Sequence, residues 1–273
     1  QGPLWPMLFI LIACGAISGF HSLVAGGTTS KQLKKETDGK PIGFGAMLTE
    51  GAVATLALVC VAAGLKWAAP ESSPESFFGV LKEGGPIKAF GAGYGGLTAP
   101  LLTVTIGTLV GITMLKTFVM TTLDTTVRIT RFITSELFAE RVPFLRNRFA
   151  ASAVGIVGAF LLGMSGKWSV LWPVFAAANQ LVAALTLIVL TAYLIGVRKP
   201  AKFTLYPGIF MLATTMGALI WQGYGFFFPG EGGQVNLTLG IASVVLLLLG
   251  SMVALEAPRS LKAARRAASP PTQ

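Results

Sequence analysis

Residues 4–32 constrain this chain most, as a membrane-length apolar run interrupted where it should be strongest. The stretch reads LWPMLFILIACGAISGFHSLVAGGTTSKQ. About 20 apolar residues suffice to span a bilayer as a helix. Yet Gly15, Ser18, Gly19, His21, Ser22, Gly26 and Gly27 fall inside or just after the run. A span starting near Pro6 puts residues 15–19 roughly 14–20 Å deep, near the middle of a ~30 Å core. Irregular backbone at that depth is tolerated only where its freed groups face protein or a wet cavity. Transporters use such breaks to bind substrates and ions. The bland alternative is packing, because Gly15 and Gly19 form a G-x-x-x-G pair that lets two helices approach closely.

Composition places the whole chain in a membrane. Of 273 residues, 53% are hydrophobic and 12% charged, and mean hydropathy is +0.71. A soluble domain carries about twice that charge fraction. Seven apolar segments are expected, at about 4–25, 43–64, 98–123, 149–165, 170–196, 204–222 and 236–256, followed by a basic tail at 257–273. The net charge of +10 could suggest nucleic acid, but its distribution does not. The first, third and fifth loops and the tail hold sixteen of the 21 Lys and Arg. By the positive-inside rule these are cytoplasmic. Seven spans then place the N-terminus outside and the C-terminus inside. Trp5, Trp67, Trp168, Trp172 and Trp221 all fall at segment ends on the outer side, where Trp favours the interface. An outside N-terminus with no signal peptide leads us to expect a missing N-terminal half or a partner chain. Cys14 and Cys60 read as small buried apolar residues, not a disulfide framework.

The outer stretch at 66–97 is long and rich in Pro, Gly and Ser, and long loops usually have a job. A short helix at 76–81, a flexible hinge at 91–96 and an outer lid are expected there. The third span is rich in threonine, and its helix should run on towards Phe138. Pro173 suggests a short interfacial start to the fifth span.

The polar residues inside these spans carry the chemistry. Unwinding near residue 18 would aim N–H groups of the inner half-helix at an anion. His21 is either a satisfied intramembrane histidine or a functional one able to carry a proton. Thr121, Thr122, Asp124 and Thr125 offer hard oxygen ligands for a small cation. Their bland reading is a solvated helix end with Asp124 and Arg128 paired at i,i+4. Lys116 either snorkels or occupies a cation position, and Glu50 is an anchor or a proton carrier. Asn179 and Gln180 usually mean interhelical hydrogen bonding, with a substrate role for Asn179 as the alternative. No phosphate loop, Ser–His–Asp set or metal cluster is visible, so neither an enzyme nor a bound metal is expected.

Three blocks carry a family resemblance. ACGAISGFHSLVAGGTTSKQL with the following GFGAMLTEG, then LDTTVRITRFITSEL, then LWPVFAAANQLVAALTL resemble the carbon starvation protein A (CstA) family of bacterial transporters. The resemblance implies uptake of pyruvate or short peptides during carbon starvation. It also implies an all-α fold like the second half of an inverted-repeat, amino acid–polyamine–cation superfamily transporter, with a broken first helix. In the second block, at the end of the third span, the position before Asp124 holds Leu123 where the family often has Gly.

The combined expectation is the C-terminal part of a secondary transporter in the bacterial inner membrane. Ser18, Gly19, Phe20, His21 and Asn179 are its substrate-site candidates, with Thr28, Thr29 and Ser30 continuing the inner half-helix. Thr121, Thr122, Asp124, Thr125, Lys116 and Glu50 are its coupling candidates. The substrate bears a carboxylate, no cofactor is expected, and the coupling ion is H+ or Na+. The alternative is a non-transporting membrane assembly subunit, with the glycines and His21 serving helix packing.

Overall fold

The computed structural model describes residues 4–13, 15–70, 73, 76–166, 168–230 and 235–268. Cys14, Lys167 and the end of the tail at 269–273 lie outside the described residues, as does the side chain of Trp168. Among the described residues the regular structure is helical, apart from one isolated bridge between Lys66 and Ser76. The helices are α1 (Phe9–Ala13), α2 (Gly19–Gly27), α3 (Gly39–Gly64), α4 (Phe77–Thr98), α5 (Val104–Phe138), α6 (Arg148–Met164), α7 (Trp168–Gly196), α8 (Lys202–Phe227) and α9 (Leu237–Ala268).

Five helices are long and apolar enough to cross a membrane: Glu36–Gly64, Val104–Phe138, Val170–Gly196, Lys202–Phe227 and Leu237–Ala267. The fourth expected segment forms the shorter apolar helix Arg148–Met164. The first is split into α1 and α2. Pro173 does not divide the fifth segment, since α7 runs through it. The start of the basic tail is helical, since α9 continues to Ala268 with Arg265 and Arg266 in its last turn.

The chain forms two compact units, residues 1–27 with 156–273, and residues 28–155. In the first, α7 and α8 are antiparallel. The Pro173 carbonyl meets Gln222 Nε2 at 3.0 Å near one end, and Thr191 meets Thr204 at 2.8 Å near the other. Small residues line the buried faces of this pair: Ala176, Ala177, Ala183 and Ala184 on α7 and Ala218 on α8 are all buried. α9 covers this pair, with Gly250 against Met216 and Leu181. Ile10 of α1 is fully buried against Ala176 and Ala218. Trp5 does more than mark an interface, because its indole N–H donates to Thr214 Oγ1 at 3.3 Å, far from either end of α8.

In the second unit α4 lies between α3 and α5, and the contacts are made by glycine. A methyl added to Gly64 or Gly93 would overlap the other helix's backbone, and one on Gly95 would overlap Thr108. The expected hinge at 91–96 is therefore corrected. Gly91, Gly93 and Gly95 are buried inside α4, where a missing side chain permits backbone contact. The bend falls earlier, at Gly85 with φ +69°, just before Pro86. Only glycine adopts that backbone freely. The segment before α4 is tied down as well: Trp67 stacks on Phe77 with ring centroids 4.3 Å apart, and its N–H donates to the Val61 carbonyl.

Candidate functional site: the break between α1 and α2

α1 ends at Ala13 and α2 begins at Gly19. Gly15 N–H closes a turn onto the Ile12 carbonyl at 3.2 Å. Ser18 opens α2: its carbonyl accepts from Ser22 N–H at 3.2 Å, and its hydroxyl accepts from His21 N–H at 3.4 Å. A serine in that position meets one of the donors every helix start leaves unpaired. The next donor is met from another helix. Phe20 N–H donates to Asn179 Oδ1 of α7 at 2.7 Å, and the Ser18 hydroxyl donates to the same oxygen at 3.2 Å.

Gly19 explains how α7 comes so near. It is buried, and a methyl there would overlap the backbone of Asn179 and Ala183. The packing role of this glycine and the break beside it are thus both present. One turn on, the Ser22 and Thr186 hydroxyls lie 2.9 Å apart, continuing the polar seam between α2 and α7. Sequence reasoning missed Thr186. Its signal was the α7 face at 179, 182, 183 and 186, helical spacing with small or polar residues at three of the four positions.

The sequence candidates divide as follows. Ser18, Gly19, Phe20 and Asn179 converge at the break. His21 is exposed, with its ring edge-on to Phe20 at 5.6 Å. Thr28, Thr29 and Ser30 do not continue the half-helix, which is a correction. α2 stops at Gly27, and Thr29–Gln32 form a short 3-10 turn. The Gly26-Gly27 pair ends the helix because glycine is a poor helix former. These three residues belong to the second unit.

The second unit also holds the coupling candidates. Asp124 pairs with Arg128 at 2.9 Å at i,i+4 on exposed helix surface. Thr121 Oγ1 donates to the Phe118 carbonyl, Thr125 Oγ1 to Thr121, and Thr126 Oγ1 to Thr122. Their hydroxyl protons are thus spent on their own helix, while the oxygen lone pairs remain. Lys116 and Glu50 are exposed on α5 and α3. Among the described residues no group of three His, Cys, Asp or Glu side chains is placed to hold a metal.

Within the first unit, α7 and α8 bury a further polar layer. Gln180 and Thr215 are fully buried, and the Gln180 amide and Thr215 hydroxyl have no partner among the described residues. Gln222 is 5% exposed and its Oε1 is also unpaired.

Residues 1–74 and 73–218 match the family described as Carbon starvation protein CstA. The chain belongs to that family. Among the curated relatives of this CstA-family chain is the "Peptide transporter CstA" of Bacillus subtilis, 28% identical over 92% of the chain and 48% of the relative. The "Pyruvate/proton symporter BtsT" of Escherichia coli is 30% identical, over 80% of the chain and 41% of the relative. The "Peptide transporter CstA" of Campylobacter jejuni is 29% identical, over 79% and 38%. The chain therefore spans about half the length, or less, of these relatives. No solved structure matches it. The relatives' names and the apolar helices together make this a multi-pass membrane protein of a transporter family. The assembly-subunit alternative is not favoured.

Proposed function

We propose that this chain is the C-terminal part of a cation-coupled importer of pyruvate or short peptides, in the bacterial inner membrane, working under carbon starvation. The observation that carries the reading is the α2 N-terminus at a helix break, with Phe20 N–H held by Asn179 Oδ1. A helix N-terminus favours negative charge. In this reading a substrate carboxylate replaces the amide oxygen on the Phe20 N–H. Asn179, released, then donates its N–H to the same carboxylate. Pyruvate and peptides share that carboxylate, which is why one cradle suits the substrates named for both relatives. His21, exposed beside Phe20, carries the coupling proton in this reading. The Thr121–Asp124 end of α5 serves as the second coupling site, whose ion is H+ or Na+.

The experiment is uptake of labelled pyruvate and dipeptides by cells carrying the full reading frame, with Phe20-flanking variants Ser18→Ala and His21→Ala alongside. Ser18→Ala is expected to lower uptake of either substrate. His21→Ala should abolish the dependence on external pH while leaving binding of substrate to purified protein intact. Normal, pH-dependent uptake by His21→Ala removes that residue from the mechanism. Normal uptake by both variants removes the break.

A further inference from the structure

α5 carries a charge where a helix facing lipid holds one only at an energetic cost. Leu109, Thr113, Lys116, Met120 and Leu123 recur at alternating spacings of four and three residues, which lines them along one helix face. All five are exposed, with Leu109, Met120 and Leu123 at 65%, 69% and 57%. The contact with α4 uses a different face, through Gly107 and Gly111. α5 is far less buried along its apolar length than α7.

Lys116 sits near the middle of this stripe, ~18 Å along the helix from Val104 and ~12 Å from Asp124 at a rise of 1.5 Å per residue. Side chains on a helix tilt toward its N-terminus. Lys116 therefore leans toward the distant Val104 end and away from the nearer charged end at Asp124, which opposes snorkelling. It makes no ion pair or hydrogen bond among the described residues, and Asp124 is taken by Arg128. Cations inside a membrane face protein or water and pair with acids.

We propose that this stripe is a docking seam, filled in the whole protein by a transmembrane helix that presents an Asp or Glu to Lys116. The proposal rests on the reading of this chain as part of a longer protein. The helices other than α3, α4 and α5 offer no unpaired acid among the described residues. α1, α2, α6, α7 and α8 contain no Asp or Glu, and Glu256 of α9 is held by Arg259 at 3.2 Å. The curated relatives are long enough to supply it, since this chain spans 48% and 41% of two of them. A single charge within an apolar seam also sets register, because any slip leaves it unpaired.

The test uses the full protein without its other cysteines, with a nitroxide label at Thr113→Cys or Met120→Cys and Lys116 kept. Collision rates are read with oxygen, which concentrates in lipid, and with a water-soluble nickel chelate. Low rates with both reagents at both positions are expected. High oxygen rates place the stripe against lipid, and high nickel rates place it in a water-filled cavity; either overturns the proposal. In the Met120→Cys background, Lys116→Glu should raise the oxygen rate severalfold and Lys116→Arg should not. An unchanged rate in a folded Lys116→Glu protein overturns the charge pairing. If Glu50→Gln opens the seam as Lys116→Glu does, the acid belongs to a second copy or to α3 and the proposal falls. Uptake is not measured, so a failure of the transport reading leaves this result standing.

Discussion

A carboxamide oxygen on a helix N-terminus is a neutral stand-in for a carboxylate, and Asn179 occupies that position on Phe20 N–H at 2.7 Å. The substitution that tests this is Asn179→Asp. It places a permanent carboxylate where the substrate's is proposed to bind, and a charge-assisted hydrogen bond is about twice as strong as a neutral one. Initial uptake rates should fall by about tenfold or more, roughly 1.4 kcal/mol of lost competition, at unchanged protein level on a blot. Wild-type uptake by Asn179→Asp would remove Asn179 from the cradle. Gln180, one residue on, tests the opposite property. Its buried amide has no partner among the described residues, and an orphaned polar group costs about 1–3 kcal/mol. Gln180→Met, similar in volume, should therefore stabilise the protein by about 1 kcal/mol, read as a higher melting temperature in detergent. A lower melting temperature would mean that the amide is satisfied in the protein as it stands in the membrane.

The elements were unevenly legible in the sequence, for physical reasons. The break in the first segment could be read because Gly15, Ser18 and Gly19 are poor helix formers inside an apolar run, and α1 does end before Gly15 while α2 begins only at Gly19. The run of α5 to Phe138 could be read from unbroken helix-compatible sequence. The α4 glycines could not. Glycine serves both flexible loops and tight helix contacts, and only the presence of Gly64 and Thr108 across the interface decides between them. Similarly, the threonines near Asp124 read equally as ligands or as a helix end, because hydroxyls that bond their own carbonyls leave no trace in sequence. Two substitutions separate these roles. Gly93→Ala should destabilise the α3–α4 contact by about 1–3 kcal/mol, since overpacking forces backbone apart, and thermal unfolding in detergent checks it. Asp124→Asn removes an exposed i,i+4 pair and should cost under about 0.5 kcal/mol. If it instead abolishes the cation dependence of uptake at unchanged stability, Asp124 is a coupling residue.

Across the whole molecule, charge is segregated by helix end. Lys31, Lys34 and Lys35 follow α2, Arg141 and Arg146 follow α5, Arg198 and Lys199 follow α7, and Arg265 and Arg266 close α9. The connections after α3 and α8 carry Lys66 and no described cation, respectively. Basic loops stay in the cytoplasm because moving them across the membrane is disfavoured. The chain should therefore alternate with its α2–α3, α5–α6 and α7–α8 connections inside and its α3–α4 and α8–α9 connections outside. Fusions to the full reading frame check this directly. Alkaline phosphatase joined after Ala69 or Pro229 should be active, because the enzyme matures only outside the cytoplasm. Green fluorescent protein joined after the C-terminus should fluoresce, because it matures only inside. Activity in the reverse pattern would invert every span. An active phosphatase after Ala69 with an inactive one after Pro229 would have a narrower meaning. It would show that the number of crossings between α4 and α8 is even where three are expected, and α6, the shorter apolar helix, would be the segment that fails to cross.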